Sequence, residues 1–145
     1  MIDIDFFKKA NDQHGHAAGA HVLHTLARLL EERARATDLV ARLGGEEYLV
    51  LLPDTLPEGA RETAEQLRLA VQNTPFSWLQ SAAPVTVSIG AATWNSGAFQ
   101  ASALVDAADA ALYQARNTGR HRVCVAGETP SMAAPTRSAA QAIQI

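Results

Sequence analysis

The sequence lacks several things, and each shortage removes a class of protein. It holds a single cysteine, Cys124, so no disulfide can form within the chain. That thiol sits in the apolar run Val123-Cys124-Val125, where a buried, unreactive sulfur is expected. Excess positive charge is also missing: the formal net charge is −3, without the basic surface that a nucleic-acid polymer requires. No apolar run approaches the roughly 20 residues of a membrane span, and no signal peptide is visible. The region is therefore expected to be soluble, cytoplasmic and free of membrane contact. No internal repeat is present. What is there is 145 residues, 48% of them hydrophobic, enough for one compact domain.

Hydrophobic spacing predicts alternating elements. A strand end at Asp3-Ile4 leads into a short helix from about Phe6 to His14, with Asp5 placed to cap it. A longer helix follows from about His16 to Arg35, its apolar stripe formed by Val22, Leu23, Leu26, Leu29 and Leu30. Two strand-like runs, Leu39 to Leu43 and Tyr48 to Leu52, flank a pair of glycines that permit a tight hairpin turn. Thr55 and Glu58 have capping-box spacing, with Pro57 in the permitted first turn of a helix reaching about Gln72. Val85, Val87 and Ile89 alternate with Thr86 and Ser88, as in a strand with one buried face, and Gly90 to Trp94 extend it. A helix from Ser102 to about Asn117 ends near Gly119, and a last strand covers Arg122 to Ala126. From Gly127 to Ile145 the composition is Ala, Pro, Ser, Thr and Gln without periodicity, which predicts a disordered tail or linker. An antiparallel hairpin with helices on a mixed sheet makes the expected class α+β.

Two acidic clusters carry the chemistry. In Asp3-Ile4-Asp5-Phe6-Phe7-Lys8 a strand-end carboxylate stands beside a helix start, whose backbone donors attract phosphate, and Lys8 adds a mobile positive charge. In Gly44-Gly45-Glu46-Glu47-Tyr48 adjacent carboxylates project from a turn, where they are either solvated or bridged by a cation. Together they suggest a metal and phosphate site.

The order and spacing of these runs, with Asn11-Asp12, Gly15-His16, Gly19 and Arg42, then Val87-Ser88-Ile89-Gly90, and the stretch from Ala107 through Tyr113 and Arg116 to Gly119-Arg120, resemble the GGDEF domain of bacterial diguanylate cyclases. The resemblance covers roughly residues 1 to 125. It implies a domain over residues 1–126 with the palm-like sheet of nucleotidyl cyclases and polymerases, and the Gly-Gly-Glu-Glu-Tyr motif on a β-hairpin. It also implies condensation of two GTP into cyclic di-GMP with release of pyrophosphate. The metal ligands would be Asp3, the main-chain carbonyl of Ile4, and Glu46, holding Mg²⁺ or Mn²⁺, two per GTP. Glu46 takes the proton-acceptor role, Glu47 is a second ligand or base, and Lys8 stabilises developing charge. Backbone donors of Phe6 and Phe7, with Lys8, Arg116 and Arg120, correspond to the phosphate grip. Asn11 and His16 face the nucleotide, with Gly44 and Gly45 lining its site.

The resemblance further implies an inhibitory product site at Arg35 and Asp38, in the Arg-x-x-Asp run before the hairpin, where cyclic di-GMP would bind. Each site supplies one GTP, so catalysis needs a homodimer. Family members carry a helix and a Leu-Thr-Gly-Leu segment before the first strand, usually below a sensory or receiver module. One position departs from the pattern: Ala20 stands where an aspartate usually accepts from the guanine edge. That departure keeps a second reading open, a weak or inactive domain acting as a GTP or cyclic di-GMP receptor.

Overall fold

The computed structural model describes residues 1–76, 84–94 and 97–128. Strand β1 (Ile2–Ile4) leads into helices α1 (Phe7–His14) and α2 (His16–Arg33). The hairpin of β2 (Leu39–Gly44) and β3 (Glu47–Leu51) follows, then helix α3 (Pro57–Gln72), strand β4 (Val87–Ala91), helix α4 (Ala101–Asn117) and strand β5 (Val123–Val125). The sheet runs β2-β3-β1-β4-β5. Strand β1 is antiparallel to both neighbours, β2 is antiparallel to β3, and β4 and β5 are parallel. This is the expected α+β arrangement of a mixed sheet flanked by helices.

Short as it is, β1 occupies the centre of the sheet, and its residues are buried on both faces. Ile2 and Ile4 join the main core with Val87 and Ile89 of β4. Asp3 and Asp5 alternate with them, point the other way, and are also buried. Helix α2 closes the core with Val22, Leu26 and Leu30, spaced four apart on one stripe, while Leu23 and Leu29 pack at its margin. Helix α3 adds Leu67 and Val71. Each fully buried aliphatic side chain of this kind is worth about 1.5–3 kcal/mol.

Helix α4 approaches the sheet through Gly90. A Cβ there would lie 2.2 Å from both Ala108 O and Leu112 N, so only glycine lets the helix sit this close. Ala111, Ala115 and Cys124 complete the contact between α4 and β5 with small side chains. Burial pushes the Cys124 thiol up, in keeping with the structural role expected of it.

Several local expectations are corrected. Helix α2 stops at Arg33 rather than Arg35 because Ala34 turns to an extended conformation, and the Asp38 carboxylate takes the Arg35 N–H at 2.8 Å. The capping box at Thr55 does not form: Leu56 is the N-cap, without a side-chain bond, and the Thr55 hydroxyl donates to Pro53 O at 3.0 Å. Asp5 does not cap α1. Phe6 holds the N-cap position in a left-handed conformation, φ 56°, and no side chain caps the helix. Ser88, expected on a solvent face, is fully buried, because β4 lies inside the sheet and is covered on both sides. The regular part of this strand ends at Ala91. Of the expected tail, Gly127 and Glu128 follow β5 as turn and bend, and residues 129–145 lie outside the described residues.

Candidate active site

Sheet pairing brings the two acidic runs to one place. Asp3 is the register partner of Glu47, and the Ile4 N–H donates to Glu46 O at 3.4 Å. Gly45 adopts φ 50° at the hairpin tip, where glycine carries no penalty for a left-handed backbone. Arg42 fixes the turn by donating from Nε and Nη2 to Gly45 O at 3.1 and 2.6 Å. Glu46 and Glu47 are half-buried.

The electrostatics are those of a site short of positive charge. Burial pushes the Asp3 carboxyl up to about 6; Arg116 opposes that rise, and Glu46, Asp5 and Glu47 add to it. Arg116 Nη1 lies 3.3 Å from Asp3 Oδ2, and its side chain is 40% exposed. A buried carboxylate with more negative than positive neighbours is suited to a hard divalent cation, and Mg²⁺ needs only one or two protein carboxylates besides water and phosphate. Among the described residues no three Asp, Glu, His or Cys side chains form a ready metal cluster. The expected set of Asp3, Glu46 and the Ile4 carbonyl asks for two carboxylates and one main-chain oxygen.

Beside this cluster lies the start of α1. Phe7 is buried in the core while Phe6 is 63% exposed, which anchors the helix and leaves its first turn at the surface. With no side-chain cap, the first-turn N–H groups lack a partner within the helix, and an anion suits them. Lys8 is exposed on the same turn. Arg120 stacks its guanidinium 4.6 Å from the Phe6 ring centroid, so it reaches the helix start from the far side of the chain. Arg116 instead pairs with Asp3.

Asn11 packs on Gly19: a Cβ at Gly19 would fall 1.7 Å from Asn11 Oδ1, and that oxygen is buried without a hydrogen-bond partner. His16 opens α2 and is exposed, as is Ala20 one turn further on. A cavity of about 350 Å³ is lined by Ala20, Leu23, His24, Arg42 and Tyr48, among others. The Tyr48 hydroxyl finds its partner in Leu23 O at 2.8 Å, and burial pushes this phenol up. A larger cavity of about 730 Å³, bordered by Leu67, Ile89, Trp94 and Leu104, contains none of the expected site residues.

Arg35 and Asp38 occupy the turn before β2, at the opposite end of that strand from Gly44. Asp38 Oδ2 accepts from Arg35 N, while Oδ1 is buried without a partner. About six strand residues at roughly 3.4 Å each separate this turn from the hairpin tip, so the two are distinct places.

Sequence reasoning missed the group around Asp5. Its Oδ2 accepts from Thr86 Oγ1 at 2.8 Å and from the His121 N–H at 3.0 Å, and its Oδ1 accepts from Ser88 Oγ at 2.7 Å. His121 in turn meets Arg68 Nη1 through Nε2 at 2.8 Å, and burial followed by Arg68 lowers its pKa. The only signal in the sequence was the polar alternation of Thr86 and Ser88, which also fits a solvated face.

The comparisons with known proteins agree with this geometry. A family model described as "Diguanylate cyclase, GGDEF domain" matches residues 1–122. Diguanylate cyclase A of Treponema denticola is 42% identical over 123 residues, which cover 85% of this chain and 33% of that protein. Diguanylate cyclase DgcM of Escherichia coli is 45% identical over 126 residues, 87% of this chain and 30% of its own length. The chain thus spans about a fifth to a third of the length of the curated relatives it matches. Among solved structures, the active GGEEF domain of a diguanylate cyclase from Vibrio cholerae superposes with a TM-score of 0.81 at 34% identity, covering 88% of this chain and 81% of that one. The GGDEF domain of DgcB from Caulobacter crescentus, solved in complex with c-di-GMP, gives a TM-score of 0.80 at 32% identity, covering 88% and 75%. With the acidic hairpin joined to β1 and the family model matching nearly the whole described chain, the protein belongs to the GGDEF-domain family of diguanylate cyclases.

Proposed function

We propose that this domain condenses two GTP into cyclic di-GMP with release of pyrophosphate. The observation that carries the reading is the convergence of Asp3 with Glu46 and Glu47 beside the uncapped start of α1. Asp3, Glu46 and the Ile4 carbonyl would hold Mg²⁺ or Mn²⁺, two ions per GTP. Such ions, when bound, neutralise phosphate charge and polarise the reacting oxygens. The protein's own groups supply the rest. First-turn N–H groups of Phe6 and Phe7, with Lys8 and Arg120, grip the terminal phosphates. Arg116, which pairs with Asp3, would join them. Glu46 accepts the proton of the attacking 3′ hydroxyl, and Glu47 serves as second ligand or base. Lys8 stabilises charge that develops on the leaving phosphates.

The base would lie by Asn11 and His16 and the cavity near Ala20 and Leu23, whose volume falls within the range of small-molecule sites, about 300–1,000 Å³. Gly44 and Gly45 leave the hairpin open on the ribose and phosphate side. Because one domain presents one GTP, the reaction needs two copies face to face, with a cytoplasmic supply of nucleotide. An upstream sensory or receiver module would bring the copies together. The homologous cyclase SiaD is known in complex with its activator SiaC. Arg35 and Asp38 are the proposed seat of product feedback, since an arginine fork and a carboxylate match the edges of guanine.

The test is product analysis after incubation with GTP and Mg²⁺, with Glu46→Ala as control. Cyclic di-GMP that disappears in the variant supports the cyclase. GTP or cyclic di-GMP binding without turnover supports the second reading, a nucleotide receptor, which Ala20 favours because it removes an acceptor for guanine.

A further inference from the structure

Asp5 takes part in none of the chemistry proposed above, yet it is buried and accepts hydrogen bonds on both oxygens. Two donors, the Thr86 and Ser88 hydroxyls, come from the β4 segment and fix the carboxylate's orientation. The third is a backbone N–H from His121, in the irregular segment between α4 and β5.

That segment is costly to hold. Arg120 and His121 are consecutive non-glycine residues with φ of 59° and 46°, a left-handed conformation that side chains disfavour. It persists because it is tied at several points: Arg120 N–H to Ala115 O at 3.0 Å, Ile89 N–H to Arg122 O at 2.9 Å, Arg68 to the His121 ring, and Asp5 to the His121 N–H. The tied backbone delivers the Arg120 guanidinium over Phe6, the residue that immediately follows Asp5.

We infer that Asp5 is a positioning residue for the phosphate grip: by holding the His121 N–H it sets the backbone that carries Arg120 to the start of α1. The inference rests on the reading of that helix start as the phosphate site. A carboxylate suits the task because it is acceptor-only, and its three hydrogen-bond partners are all donors. Alanine would leave the His121 N–H orphaned. Asparagine would not: its oxygen can face Thr86 and His121 while its NH₂ faces Ser88, whose hydroxyl rotates to accept.

The experiment measures GTP affinity by calorimetry, with Mg²⁺, on the full chain and on Asp5→Ala, Asp5→Asn, Arg120→Ala and the double variant Asp5→Ala/Arg120→Ala. Amide exchange at His121 is followed by NMR. Asp5→Ala should weaken GTP about tenfold, the size of one lost hydrogen bond to a charged group, and His121 should lose its protection. Asp5→Asn should restore binding to within about threefold. The double variant should bind no worse than Arg120→Ala alone, because Asp5 acts through that arginine. Losses that multiply in the double variant, or unchanged protection of His121 in Asp5→Ala, overturn the inference. If Asp5→Ala does not fold, Asp5→Ser, whose shorter side chain carries one oxygen, takes its place. If the unmodified chain does not bind GTP, the phosphate reading has failed, and the exchange measurement still decides whether Asp5 holds His121.

Discussion

Replacing Asp3 by asparagine should make the metal-free protein less sensitive to pH and more stable near neutrality. Burial raises the Asp3 carboxyl from 3.8 to about 6, so between those values the folded chain holds a proton that the unfolded chain has released. Stability from this group is therefore fully present below about pH 4 and is lost as pH rises through about 6. Two units at about 1.4 kcal/mol each set an upper limit of roughly 3 kcal/mol. Solvent around the half-buried Glu46 and Glu47 screens their repulsion of Asp3 and removes part of it, leaving about 1–2 kcal/mol. An asparagine at this position would have no charge to bury. Urea melts of both proteins in chelator, from pH 4 to 7.5, should show a stability difference that grows by this amount in favour of Asp3→Asn. Adding Mg²⁺ or Mn²⁺ at pH 7.5 should then stabilise the unmodified protein and leave the variant unmoved, since only a ligand that binds the folded state shifts the equilibrium. Difference curves that stay flat across the range would show that burial and its carboxylate neighbours do not outweigh Arg116 at Asp3.

Ala20→Asp should tighten GTP binding by roughly tenfold to a hundredfold, the value of about 1–3 kcal/mol for satisfying a buried donor; unchanged affinity in a calorimetric titration would mean that another group reads the base. Arg35→Ala should abolish inhibition by cyclic di-GMP while initial rates at low product stay as they were, and inhibition that persists in a product-titration assay would count against the Arg35–Asp38 site. Gly90→Ala should cost about 1–3 kcal/mol in a denaturant melt, because its methyl group meets the Ala108 and Leu112 backbone at 2.2 Å and α4 has to lift.

The fold was largely legible because its signals are periodic. The stripe on α2, the glycine-bearing hairpin and the alternation in β4 each have a repeat that sequence spacing exposes. The resemblance implied that Asp3 and Glu46 are neighbours; the register of β1 with β3 sets Asp3 beside Glu47, and Glu46 lies near enough to raise the Asp3 carboxyl. What the sequence hid were side chains whose partners lie far along the chain. Asp5 reads locally as a helix cap, but its donors stand at 86, 88 and 121. Thr55 likewise reads as a cap, and its hydroxyl chooses the Pro53 carbonyl instead. Serine, threonine and aspartate bond so readily to any nearby backbone that spacing alone does not select the partner.

Strand β1 shows how one local rule yields two different carboxylates. Alternation sends Ile2 and Ile4 into the core and turns Asp3 and Asp5 the other way, both nearly stripped of water. Asp5 is met by hydroxyls and a backbone N–H. Asp3 is met by one arginine and, at longer range, by three other carboxylates. A buried anion surrounded by donors is fixed in place, and removing it orphans its partners. One surrounded by like charge is held at a cost that a cation removes. The difference lies in the neighbours, which the hairpin supplies to Asp3 and the β4 and α4–β5 segments supply to Asp5. Strand β1 and the residue that follows it thus carry both the carboxylate proposed for the metal and the fixed point from which the proposed phosphate grip is built.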